Sequence, residues 1–187
     1  SSGATVKIKI EGQVSSVGKT VLTGDLVKAA AYGIMSPSQI ERFEQTIDFN
    51  LKSTFLCMQQ ELRLMSAAGR GSIVNNSSIG GTRGFAGLQD YCAAKWGVIG
   101  LTKAAALESA AQGIRINVIA PGLVATERFE LIRSQQSALL DARIKEIPMA
   151  RPAHMHEVAE TVAWLLGPNC GFLTGAVIPL DGGECAA

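Results

Sequence analysis

At 187 residues, with 47% hydrophobic and 18% charged side chains, the chain has the balance of a folded domain with a substantial core, which excludes a disordered segment. Its 17 basic and 16 acidic residues leave a net charge of +1, which excludes the electrostatic footprint of a nucleic-acid or anionic-membrane binder and makes a small molecule the expected partner. No run of about 18 apolar residues occurs, the start shows no signal pattern, and the four cysteines lack C-x-x-C spacing, so a soluble, cytoplasmic protein with reduced thiols is expected.

In chain order, Ala4–Ile10 alternates like a strand. Gly18-Lys19-Thr20 has the ending of a phosphate-binding loop, but Gly12 is one residue too far away and a strand signal follows, so a turn into a second strand at Lys19–Thr23 is expected. A helical region runs from about Ser38 to Ala68, followed by a strand at Ile73-Val74 and a Ser- and Gly-rich turn. A helix carries Tyr91, a buried strand begins at Ile114, and Glu127–Glu146 and His154–Leu166 read as helical. Thr174–Leu180 supplies the last strand. Alternation of this kind predicts an α/β sheet covered on both faces.

Tyr91 and Lys95 form Y-x-x-x-K in a segment rich in helix formers, so phenol and ammonium share one helix face. A phenol titrates near pH ~10 and becomes useful at neutral pH when a neighbouring cation stabilises its phenolate, the role the spacing offers Lys95. Alone, the pair describes an ordinary helix with a half-buried tyrosine and a solvated lysine. It is distinguished by Ser78, thirteen positions before Tyr91 in Gly71-Ser-Ile-Val-Asn-Asn-Ser-Ser78-Ile-Gly-Gly, where an exposed hydroxyl can be held at the end of a strand.

With Asn50 in Asp48-Phe-Asn50-Leu51, the Pro121-Gly122-Leu123-Val124-Ala125-Thr126 element and the closing Leu173-Thr-Gly-Ala-Val-Ile-Pro-Leu-Asp181-Gly-Gly, the chain resembles the short-chain dehydrogenase/reductase family from about Asn50 to Gly183. The resemblance implies a doubly wound parallel sheet of Rossmann type in one domain over residues 1–187, residues 1–35 being a partial cofactor half and 36–187 the catalytic half. It implies hydride transfer between NAD or NADP and a secondary alcohol or ketone, with Ser78 holding the substrate oxygen, Tyr91 moving the proton and Lys95 lowering the tyrosine's pKa and holding the nicotinamide ribose. Asn50 would anchor a water leading to Lys95. Pro121, Gly122, Val124 and Thr126 would hold the nicotinamide carboxamide, and a homodimer or homotetramer is implied through the long helices and the last strand.

The family's opening Gly-rich turn, T-G-x-x-x-G-x-G, does not occur. By resemblance, Asp25 and Leu26 are the cofactor-binding element after the third strand, and Ala31-Tyr32-Gly33 occupies the Asn-Ala-Gly position without the asparagine. Only eight positions separate Asp25 from Gly33, too few for a helix of about 11 residues and a strand of about 5. Either the cofactor half is missing or the sequence joins pieces of a longer chain, and the second is expected, since a sheet without its central strands would leave exposed edges. Lys9 and Glu11 argue in opposite directions on NAD against NADP, and that choice stays open.

A catalytically silent relative unable to hold dinucleotide is the alternative from another class. A serine hydrolase at Ser78 lacks the G-x-S-x-G elbow. His154 and His156 do not read as a metal site, because residues two apart on a helix face different ways. Cys57 and Cys92 read as small core side chains. Residues Glu127 to about Pro148 would form the substrate lid, with Phe129, Leu131, Ile132, Leu139 and Leu140 expected in the core by their helical spacing and a pocket lining as the other reading.

Overall fold

The structure is a computed structural model that describes residues 37–186. The expectations at Ala4–Ile10, Lys9, Glu11, Lys19–Thr23, Asp25, Leu26 and Gly33 lie outside the described residues.

Three parallel strands form the sheet in the order β1 (Gly71–Asn76), β2 (Ile114–Pro121) and, last in the chain, β5 (Val177–Leu180). β1 pairs with β2 from Gly71↔Ile114 to Asn76↔Ile119, and β2 with β5 from Val118↔Val177 to Pro121↔Leu180. β2 is central and buried almost throughout, as its apolar sequence requires of a strand covered on both faces. Its alternate side chains separate the two layers. Ile114, Ile116 and Val118 meet Met58 of helix α2 (Ser53–Ala68) and Val98, Ala105 and Ala106 of helix α3 (Gln89–Ser109). On the other face Arg115 donates to the carbonyls of Leu165 and Gly167 at 2.9 Å each, placing a cation where the last turn of a further helix, Met155–Leu166, leaves carbonyls without partners.

The predicted helix over 38–68 is interrupted. Helix α1 (Pro37–Ile47) runs into a π turn at Asp48–Lys52 before α2 begins, with helical backbone angles at Ile47 and Lys52. Around it, side chains compete for backbone carbonyls: Asn50 Nδ2 donates to Thr46 O at 3.0 Å, Thr54 Oγ1 to Asn50 O at 2.8 Å, and Ser53 to Phe49 O. A Cβ on Gly97 of α3 would stand 2.7 Å from Leu51, so the π turn packs against α3 where that helix has no side chain. Asp90, in the first turn of α3, accepts Arg42 Nε at 2.9 Å, Arg42 Nη2 at 3.1 Å and Thr46 Oγ1 at 3.0 Å, tying α1 to the start of α3.

The last strand begins at Val177, three residues later than its sequence suggests. Before it, side chains share the ladder with the backbone bonds Gly175 N to Ile116 O and Val118 N to Ala176 O: Thr174 Oγ1 accepts Ile116 N at 3.0 Å, and Asn117 donates to Leu173 O at 2.9 Å and accepts Ala176 N at 3.1 Å. Beyond β2, strand β3 (Val124–Ala125) pairs in parallel with β4 (Ala153–His154). Between them lie helices α4 (Glu127–Gln135) and α5 (Ser137–Lys145), and α6 (Met155–Leu166) follows β4. Ala150 sits between α5 and β4 at φ 52°, the left-handed region where a Cβ is strained.

Two expectations follow. Asn117→Leu leaves a partly buried carbonyl and amide without partners, so urea unfolding should show a loss of about 1–3 kcal/mol, and a loss below about 0.5 kcal/mol counts against this role. Ala150→Gly should raise stability by roughly 0.5–1 kcal/mol because glycine adopts the same backbone without strain, and a fall in stability would sink that account.

Candidate active site

Beyond Asn76, the chain passes through Ser77 and an extended Ser78 and closes a buried 3₁₀ turn at Ile79–Gly81. Ser78 Oγ accepts Gly80 N at 3.1 Å, which orients the hydroxyl oxygen and leaves its proton free to be donated. The turn sits directly on α3. A Cβ on Gly81 would lie 2.7 Å from Lys95 O, one on Gly80 would lie 3.1 Å from Tyr91 Cε1, and Ser77 Oγ donates to Lys95 O at 2.8 Å.

Tyr91 and Lys95 stand one helical turn apart at this point. Lys95 is 8% exposed, donates from Nζ to Asn76 O at 3.1 Å, and keeps its ammonium 5.6 Å from the centroid of the Tyr91 ring. A Cβ on Gly80 would also stand 3.6 Å from Ser78 Oγ, so the serine hydroxyl and the tyrosine ring border the same space. Burial pushes the Lys95 ammonium down to about 8. Burial also raises the Tyr91 phenol above its ordinary value of 10.0, against the Ser78 hydrogen bond and the Arg128 charge, which lower it. The direction is opposite to the one expected of a tyrosine beside Lys95. Desolvation outweighs Ser78 and Arg128 together.

Ser78, Tyr91 and Lys95 are therefore together. The Asn50 side chain turns back onto its own helix through Thr46 O, with no direct hydrogen bond to Lys95. Pro121 and Gly122 lie at the C-terminal end of β2, where Gly122 N donates to Leu180 O at 3.0 Å and a Cβ on Gly122 would stand 3.1 Å from Asp181 Cα. Val124 is in β3, and Thr126 caps α4 by accepting Phe129 N at 3.3 Å. These residues and the Ser78 turn follow the C-terminal ends of adjacent parallel strands, where open α/β sheets bind ligands.

The segment read as a lid is divided. Phe129 and Leu140 are core residues at 3% and 5% exposure, whereas Leu131 and Leu139 face solvent. His154 precedes α6 in extended conformation, so the argument from two helical positions fails there and its ring stacks on that of His156, with centroids 5.4 Å apart. The His154 backbone N–H donates to Glu157 Oε2 at 2.7 Å, and the Arg151 guanidinium beside Glu157 holds that carboxyl down to about 2. Among the described residues the cysteines are unpaired, Cys92 being buried and Cys57 half-buried. Sequence reasoning missed Asp90, Arg128, and Glu184 with its arginines. The contacts of Asp90 and Glu184 span 48 and 41 residues, so no local pattern announces them.

The family model described as enoyl-(acyl carrier protein) reductase matches residues 10–184. Cyclohexanol dehydrogenase from Acinetobacter sp. (strain SE19) is 43% identical over 143 residues, covering 76% of this chain and 55% of that relative. Acetoacetyl-CoA reductase from Rhizobium meliloti (strain 1021) is 36% identical over 177 residues, covering 94% of this chain and 71% of the relative. The solved structure of ElxO with NADP bound superposes with a TM-score of 0.76 at 34% identity, over 82% of this chain and 61% of that one. The chain thus spans little more than half the length of several relatives, levodione reductase from Leifsonia aquatica being matched over 56% of its length. Parallel strands ending in a serine turn, a Tyr-Lys helix seated on that turn, and these matches lead to one conclusion: the chain belongs to the short-chain dehydrogenase/reductase family.

Proposed function

We propose that the protein is an NAD(P)-dependent oxidoreductase that interconverts a secondary alcohol and a ketone, with Ser78 and Tyr91 gripping the substrate oxygen and Lys95 replenishing the proton. The observation that carries this reading is the convergence of a serine hydroxyl, a phenol and a buried ammonium at the end of β1. The names of similar proteins, cyclohexanol dehydrogenase and levodione reductase among them, support a ring alcohol or ketone as substrate. Bound NAD or NADP supplies or takes up the hydride.

The donors present suit the nicotinamide end of such a cofactor. Lys95 spends one of its N–H groups on Asn76 O, and Thr126 keeps its hydroxyl proton while its oxygen caps α4. Tyr91, Lys95, Pro121, Gly122, Val124 and Thr126 are the residues that would hold it, and Asn50 would act on Lys95 through a water. In reduction, Tyr91 donates its proton to the developing alkoxide while Ser78 donates a hydrogen bond to the same oxygen. The reverse reaction returns the proton to Tyr91. Phe43, Phe55 and Trp96, exposed at 45%, 47% and 52% on the α1, α2 and α3 helices, support assembly into a homodimer or homotetramer.

Tyr91→Phe should lower kcat/KM for cyclohexanone reduction with NADH or NADPH by ~10²–10⁴ in the purified full-length protein, with an unchanged melting temperature. Retained turnover would remove the tyrosine from the mechanism. Lys95 titrates at about 8, is charged below that pH and neutral above it, so kcat/KM for reduction should fall as pH rises through 8. A profile flat from about pH 7 to 9.5 is incompatible with a protonated Lys95 taking part.

A further inference from the structure

We propose that Glu184 is a positioning residue for the substrate side of the site: its buried carboxylate ties the loop between Ser78 and Tyr91 to lid helix α5 and so sets how firmly substrate is held. The proposal rests on reading Ser78, Tyr91 and Lys95 as the reacting end of the site.

The Glu184 side chain is 1% exposed, and a carboxylate so placed is costly unless cations meet it. Two do, from different elements. Arg83, in the loop after the Ser78 turn, brings Nη2 to 3.1 Å from Glu184 Oε1 and donates from Nη1 to the Glu184 carbonyl at 3.2 Å. Arg143 of α5 donates from Nη2 to the same Oε1 while its Nη1 donates to Glu146 at 2.7 Å. Phe85, of the same loop, is shared by both cations, with the Arg83 guanidinium 4.6 Å and the Arg143 guanidinium 5.4 Å from its ring centroid. Glu184 Oε2 is buried with no hydrogen-bond partner among the described residues, so the carboxylate's interactions converge on the two arginines through its other oxygen.

The two sides of the tie are held differently. Asp181 holds the C-terminal segment by accepting Gly183 N at 3.0 Å and Cys185 N at 2.9 Å. The loop's backbone bonds, Arg83 N to Ile79 O and Leu88 N to Phe85 O, are local and do not attach it to the sheet. Helix α5 follows α4, whose first turn carries Arg128, and that charge reaches the Tyr91 phenol. The loop that Glu184 ties to α5 runs directly from the Ser78 turn to the helix that carries Tyr91. Glu184→Gln preserves shape but removes the counter-ion shared by two guanidiniums, which then repel across Phe85.

Hydrogen exchange and steady-state kinetics on the full-length protein test this. In Glu184→Gln, exchange should rise together in residues 82–88 and 137–145 while residues 71–76 keep their protection. KM for cyclohexanone should rise about fivefold or more with kcat within about twofold, a split that general destabilisation does not produce. Arg143→Gln should reproduce the paired change, and it decides the matter by the same criteria if Glu184→Gln does not fold. Faster exchange confined to residues 181–186, a response in the loop without α5, or an unmoved KM overturns the proposal. A wild-type protein that reduces no ketone overturns the oxidoreductase reading instead, and the exchange pattern alone then judges the tie.

Discussion

A lysine ammonium that is 8% exposed must find acceptors inside the fold, and the construction of this half of the molecule follows from how Lys95 is accommodated. Its visible acceptor is the carbonyl of Asn76, the last residue of β1. That oxygen is available because the chain departs from the strand there and enters the Ser78 turn. The accommodation is incomplete: an ammonium held at about 8 instead of 10.5 carries roughly 3 kcal/mol of disfavoured charge. At neutral pH the group stays mostly protonated, so it is a cation short of partners, and an acceptor brought to it gains more than it would at a solvated lysine.

The geometry around that cation is held by backbone contacts more than by side-chain choice. A Cβ at Gly81 would collide with the Lys95 carbonyl, and Ser77 donates to that same oxygen, so the serine turn and the lysine's helix turn are locked at one point. One turn earlier, Asp90 receives both arms of Arg42 and the hydroxyl of Thr46. Tyr91 lies between these two fastenings. Its phenol is thus positioned by the seating of α3 on β1 and on α1, while the hydrophobic clusters at Ile114, Ile116 and Val118 fix the depth at which α3 lies on the sheet.

What could be read from the sequence was local and periodic. The Tyr91–Lys95 spacing, the buried run beginning at Ile114 and the serine after an apolar strand each report a neighbourhood of a few residues, and each was found where it was read. Features that needed a partner were not legible. The π turn has ordinary helix-forming residues and is marked by Asn50, Ser53 and Thr54 bonding to nearby carbonyls, which composition alone does not reveal. Asn117 reads as one polar residue in an apolar strand, yet it replaces ladder bonds and delays β5 to Val177. The helix read from His154 starts one residue later, and Glu184 was not legible because its arginines lie 101 and 41 positions away.

The one expectation that reversed its sign also says most about the chemistry. In water, a tyrosine at 10.0 and a lysine at 10.5 are acids of nearly equal strength, with the phenol slightly the stronger. Burial works on them in opposite directions, because it penalises whichever form is charged: the phenolate in one case, the ammonium in the other. The tyrosine is raised and the lysine lowered to about 8, so Lys95 becomes clearly the stronger acid. Under the proposed reading, a proton that Tyr91 gives to an alkoxide is restored from Lys95 downhill, where the same transfer between solvated side chains would be close to neutral. On that reading, the desolvation that keeps the phenol protonated at rest also favours its recharging from Lys95.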